Sequence, residues 1–236
     1  MTVARLGELW HRLADMQHLP PGWLVACSAL LALAAIIPRR AWLISRNVVT
    51  IAHEGGHAIV ALAAGRRLAG IRLHANTSGE TVSAGNPDGV GMLLTIAAGY
   101  SAPPLLGLGA AALLAAGHPI VMLLSSLVLL TGLTAVMRNG YGLAATAAAS
   151  VIVLLVCWLA SPLVQAVFAY SATWFLLFGA VRPVLELQRT RRRGGARATD
   201  ADELARLSGV PGIIWVAVFG IVSLAALALG ASWLLH

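Results

Sequence analysis

His53-Glu54-Gly55-Gly56-His57 is the stretch from which the rest of the chain is read. It has the form H-E-x-x-H. On a helix the two histidines stand four residues apart, one above the other on a single face. Two imidazoles so placed can ligate one zinc ion, and the glutamate between them is free to act as general base. The flanks, residues 47–52 and 58–64, are almost wholly apolar. Three polar side chains in such a run are costly, and inside a membrane ionisable groups mark functional sites.

Composition points to a membrane. Of 236 residues, 59% are hydrophobic and 11% charged, and the mean hydropathy is +0.84. A soluble domain carries about 25% charged residues. Several apolar runs approach the ~20 residues that cross a bilayer as a helix. They are continuous rather than alternating, which excludes a barrel. All sixteen basic residues are arginine, and the net charge is +7. Arginines at the ends of apolar runs fit the positive-inside rule, so no nucleic-acid partner is expected; the lipid bilayer is. Cys27 and Cys157 lie in apolar runs without a nearby partner, so neither a disulfide nor a thiolate metal site is expected.

The sequence predicts an all-α membrane protein: a polytopic helical bundle of about six or seven spans with a small β-hairpin after the zinc-site helix. All 236 residues form one integral membrane domain. Residues 1–21 read as an amphipathic segment on the membrane surface and show no cleaved leader pattern. Spans are expected at about 22–37, 41–64, 90–116, 119–136, 141–160, 162–181 and 212–235. Residues 66–89 carry strand-turn-strand chemistry, with Ile71, Leu73, Thr81 and Val82 as strand formers and Gly70, Asn76, Ser78 and Gly79 as breakers. Such a hairpin can take up an extended peptide along its edge. Residues 182–210 read as a basic cytoplasmic loop with a short helix capped by Thr199. Counting spans back from that loop places the N-terminus in the cytoplasm and leaves Arg39, Arg40 and Arg46 on the wrong side. It puts residue 65 at the cytoplasmic face and His57 about 12 Å inside, at about 1.5 Å per residue.

Catalytic zinc takes three protein ligands and leaves a fourth position open. Besides Glu54, eight carboxylates are available. Asp200 is the first choice, because it lies in the acidic cluster Asp200, Asp202 and Glu203 just before a helix on the cytoplasmic side. Asp202 and Glu186 are the alternatives, and an acid at a helix N-terminus also has a plain electrostatic use.

His53-Glu54-Gly55-Gly56-His57-Ala58 in an apolar helix, followed by a hairpin with Ser78-Gly79-Glu80-Thr81, resembles the site-2 protease class of intramembrane zinc metalloproteases. Bacterial relatives of that class with an Arg-Asn-x-x-Gly segment and a late Asp-Ala-x-x-Leu-Ala segment are more similar still. Here those segments are Arg138-Asn139-Gly140-Tyr141-Gly142 and Asp200-Ala201-Asp202-Glu203-Leu204-Ala205. The resemblance spans roughly residues 41–215. It implies His53 and His57 as Zn2+ ligands, Glu54 as catalytic base, a membrane protein or peptide as substrate, and a bacterial plasma membrane with the active site nearer the cytoplasm. Asn139 corresponds to a polar residue of the class that orients substrate. The class usually places its third ligand in an Asp-Gly motif within a later span; the one Asp-Gly here, Asp88-Gly89, precedes the third span. The competing function class is a non-proteolytic membrane metal-binding protein, or a degenerate protease that acts as a binding partner.

Overall fold

The computed structural model describes residues 20–194 and 199–236. The amphipathic segment expected over residues 1–21 thus lies, but for its last two positions, outside the described residues. The elements are α1 (Gly22–Ile36), α2 (Arg39–Ala63), β1 (Arg67–Leu73), β2 (Gly79–Ala84), α3 (Val90–Ala115), α4 (Pro119–Val136), α5 (Gly140–Leu159), α6 (Pro162–Gly179), α7 (Val181–Arg192), α8 (Asp200–Ser208) and α9 (Gly212–Leu235). This is the all-α membrane architecture with one small hairpin that the composition implies. α3, α4, α5, the continuous α6–α7 and α9 are each long and apolar enough to cross a membrane. Trp23, Val128 and Leu159 point outward and are exposed, as lipid-facing side chains are. Small residues close the inner contacts: Ala111, Ala169 and Thr173 are fully buried.

Residues 22–37 and 41–64 do not form two separate spans. α1 and α2 are bent by 104° at a short break and together amount to one broken span or a re-entrant loop. α1 has 15 residues, about 22 Å of rise, which falls short of the ~30 Å hydrocarbon layer. Pro38 then forbids a continuous helix. The carbonyls freed at the break are satisfied inside the protein: Ser45 Oγ donates to Ala35 O at 2.8 Å, and the Arg182 guanidinium donates to Ile36 O. The most basic stretch also differs from a loop. α6 passes through helical Ala180 into α7, whose Val184 and Leu187 are buried, while Arg189, Arg191 and Arg192 occupy its last turn, where cations complement the helix dipole.

Counting α1–α2 once gives at most six crossings and moves the N-terminal end of the described chain to the face opposite the basic one. The arginines then segregate. The break is held against α7, and the hairpin, the α4–α5 junction at Arg138 and the end of α7 lie on the same face. The opposite junctions at residues 116–118 and 160–161 contain no arginine.

The hairpin folds back along α2. Ile71 and Leu73 are buried with Ile51, Ala58 and Met137, and Thr50 Oγ1 donates to the turn carbonyl of Thr77 at 3.0 Å. β1 and β2 pair antiparallel, with Arg72 opposite Glu80 and Gly70 opposite Val82. The other edge of β1 is occupied by the α4–α5 junction. Arg138 N donates to Ile71 O at 2.8 Å, Arg138 Nε donates to Ala69 O at 2.9 Å, and Met137 forms a parallel bridge with Ile71. Among the described residues β2 is therefore the open edge of the sheet.

Candidate metal centre

α2 presents its motif to three neighbours. Gly56 brings the helix against α3, where an added Cβ would meet Ala98 O at 2.7 Å and also strike Ala102. Gly99 on α3 lies under both imidazoles; its Cβ would come within 2.5 Å of His57 Nε2 and 2.7 Å of His53 Cε1. Any side chain there would expel the rings. His57 Nδ1 lies 2.7 Å from Thr95 O. It donates to that carbonyl, which fixes the tautomer and leaves the Nε2 lone pair for a ligand. His53 packs edge-on against the Tyr100 ring, with centroids 4.7 Å apart.

Asp200, the first residue of α8, completes the group. Its Oδ2 lies 3.3 Å from His53 Nε2 and 3.4 Å from His57 Nε2, and the two Nε2 atoms are 3.1 Å apart. Among the described residues these three form a group able to hold a metal ion. The spacing suits zinc. Bonds of about 2.0–2.1 Å at tetrahedral angles put ligand atoms about 3.3 Å from one another. The chemistry suits it too, since Asp200 Oδ2 is buried without a hydrogen-bond partner. Lone pairs facing each other at these distances repel unless a cation lies between them.

The alternatives to Asp200 are occupied elsewhere. Asp202 caps α8: its carboxylate accepts from Thr199 N at 3.0 Å and Thr199 Oγ1 at 2.7 Å, and it pairs with Arg191 at 2.7 Å. Glu186 Oε1 accepts from Trp42 Nε1 at 2.9 Å and Arg182 Nε at 3.2 Å. Two forces set Asp200 in place. Ala201 and Leu204, both fully buried, dock α8 into a cluster with Ile96, Val216 and Phe219. The Thr199–Asp202 capping box fixes the first turn.

Glu54 is buried and faces the hairpin instead of the metal donors. Thr81 Oγ1 donates to its Oε2 at 2.6 Å, and Gly79 lies directly against the carboxylate. Asn139 lies at the far edge of β1. Its Nδ2 donates to Leu73 O at 2.6 Å and its Oδ1 accepts from Leu73 N at 3.2 Å, so its amide is spent on the strand backbone. Sequence reasoning missed Thr81, Thr95, Gly99 and Tyr100 as site residues. The available signals were a threonine and a glycine inside the apolar run 90–116 and a hydroxyl in the hairpin.

A cavity of about 340 Å³ opens beside the donors, lined by His53, Tyr100, Asp200 and residues of α7. A family model described as Peptidase M50B-like matches residues 26–230. No curated protein and no solved structure matches the chain.

Proposed function

The chain belongs to the Peptidase M50B-like family, the family of the site-2 proteases, and from that premise we propose that it is an intramembrane zinc metalloendopeptidase acting on membrane-embedded or membrane-proximal peptide segments. The observation that carries the reading is the convergence of His53 Nε2, His57 Nε2 and Asp200 Oδ2 at 3.1–3.4 Å, two of the three from the helix that also carries Glu54. His53, His57 and Asp200 would hold the ion. Zinc bound there supplies an acidified water and a Lewis acid for the scissile carbonyl.

Glu54 takes the proton of the attacking water and delivers it to the departing amine. Thr81 holds that carboxylate through a single hydrogen bond, so it can swing without leaving a second partner unpaired. Substrate enters as an added strand. The β1–β2 register engages Gly70 and Arg72 with Val82 and Glu80. The N–H and C=O groups of Gly79, Thr81 and Ser83 then face the open edge. A transmembrane helix hides its peptide bonds in internal hydrogen bonds, and pairing with β2 exchanges those bonds for intermolecular ones next to Glu54. Asn139 belongs to substrate binding through the strand it clamps. By the positive-inside rule the arginine-rich face is cytoplasmic, so the site works from that side of what we read as a bacterial plasma membrane.

Glu54→Gln is the direct test. Full-length protein in detergent should keep about one zinc per chain by elemental analysis, as expected for an intact three-ligand site, while cleavage of a fluorogenic transmembrane peptide stops. Turnover equal to wild type would defeat the protease reading; zinc retained without cleavage of any peptide by the wild type would favour the metal-binding alternative.

A further inference from the structure

The cavity wall next to the metal donors contains a charge that the proposed hydrolysis does not use. Arg46, His53, Tyr100, Glu186 and Asp200 all line this cavity. Glu186 faces two guanidiniums. Arg182 is fully committed: it bonds Glu186 Oε1 and Ile36 O and stacks over the Trp42 ring at 4.8 Å. Arg46 is not. It makes only a loose ion pair with Glu186 Oε2 at 3.6 Å, beyond hydrogen-bond length, and among the described residues its guanidinium donates no hydrogen bond. One carboxylate between two guanidiniums leaves one positive charge in excess. The other acids of the site have other roles: Asp200 stands with the two imidazoles as a metal donor and Glu54 accepts from Thr81.

A planar guanidinium with open N–H groups is matched by a carboxylate, which it can bind with two parallel hydrogen bonds. Position defines where on a substrate that carboxylate would lie. Arg46 precedes His53 by seven residues, two helical turns on the same face, or about 10.5 Å along the axis. An extended peptide rises about 3.3 Å per residue. We propose that Arg46 is a subsite for a substrate carboxylate about three residues from the scissile bond, supplied by an Asp or Glu side chain or by a free C-terminus. This inference rests on the protease reading above.

Peptide hydroxamates test it without requiring turnover. The hydroxamate anchors on the metal, and members of the series carry Glu, Gln, a C-terminal carboxylate or its amide two to four residues away. Affinities are measured by calorimetry on zinc-loaded full-length protein. Wild type should prefer one carboxylate over its neutral counterpart by about tenfold. Whichever pair shows the preference, Glu over Gln or acid over amide, identifies the source of the charge. Arg46→Gln should bring that ratio near one. Glu186→Gln removes the competing anion and should raise the ratio above wild type, a shift that general misfolding would not produce. Equal affinities in the wild type, or a preference that survives Arg46→Gln, would overturn the subsite. If no hydroxamate binds any of the proteins, the metal-site reading itself fails and takes this inference with it.

Discussion

α2 and α8 deliver donors to one point by different physics. His53 and His57 are aligned by the helical period, buried against α3 and held by Gly99 and Thr95. Asp200 stands at the first position of a nine-residue helix that is not among the membrane-crossing segments. The local Thr199–Asp202 capping box fixes the first turn of α8, but docking of its apolar face is what brings Asp200 to the imidazoles. A ligand on a bundled helix is placed when the helix forms. A ligand on a docked surface helix is placed only while the docking holds. The metal centre therefore ties the basic-face segment to the membrane core, and its strength reports on that junction.

Removing donors from the two sides should separate these regimes, and the effect should be the largest available. His53→Ala should abolish stoichiometric zinc binding. Asp200→Asn should weaken it by more than the ~10–100-fold that follows loss of an outer hydrogen-bond partner, with α2 and α3 unperturbed. Asp202→Asn should cost far less. Competitive chelator titration of the three variants reads all of this. Equal losses for Asp200→Asn and Asp202→Asn would mean that α8 acts as a unit and that Asp200 is no direct ligand.

Docking itself is the next target. Leu204 is fully buried where α8 meets α3 and α9, and Leu204→Ala should cost about 2–5 kcal/mol through lost packing and the cavity left behind. In a chelated sample that loss should appear as local unfolding of α8 with the bundle intact. Zinc should restore part of it, because binding to the docked state stabilises by mass action. A variant whose zinc affinity matches wild type would show that Asp200 reaches the imidazoles without α8 being docked.

The same contrast explains which parts of the molecule could be read in the sequence. H-E-x-x-H is a local pattern with a known helical geometry, and the hairpin announced itself through Gly70, Asn76 and Gly79. Asp200 could be singled out because few carboxylates exist in the chain. Thr95, Gly99 and Tyr100 could not, since their roles exist only once α3 packs across α2. The count of about six or seven spans stayed open because two apolar runs separated by Pro38 look alike whether the chain crosses twice or bends; the 15-residue length of the first was the one available sign. From sequence alone α7 reads as loop, because its apolar face narrows to Val184 and Leu187 among arginines. Both ambiguities share a cause. The partners that satisfy a broken or polar helix, here Arg182 on Ile36 and Glu186 on Trp42, are remote in sequence.

The smallest expected effect concerns the cap of α8. Burial nudges the Asp202 carboxyl up, but the hydrogen bonds from Thr199 and Arg191 hold it below the usual carboxylate range. A carboxylate whose value is lower in the folded than in the unfolded chain stabilises the fold at any pH above its unfolded value of about 3.9. That contribution is lost as pH falls through the folded value. Asp202 is 40% exposed, so solvent screening keeps the effect small. Amide exchange in α8, corrected for intrinsic rates, should change little between pH 7 and 5 and lose protection at lower pH as Asp202 takes up its proton. Asp202→Asn should start from the weaker protection and vary less over the same range. Parallel acid curves for the two proteins would assign the loss to another group, and α8 would then be held to the site by its apolar face alone.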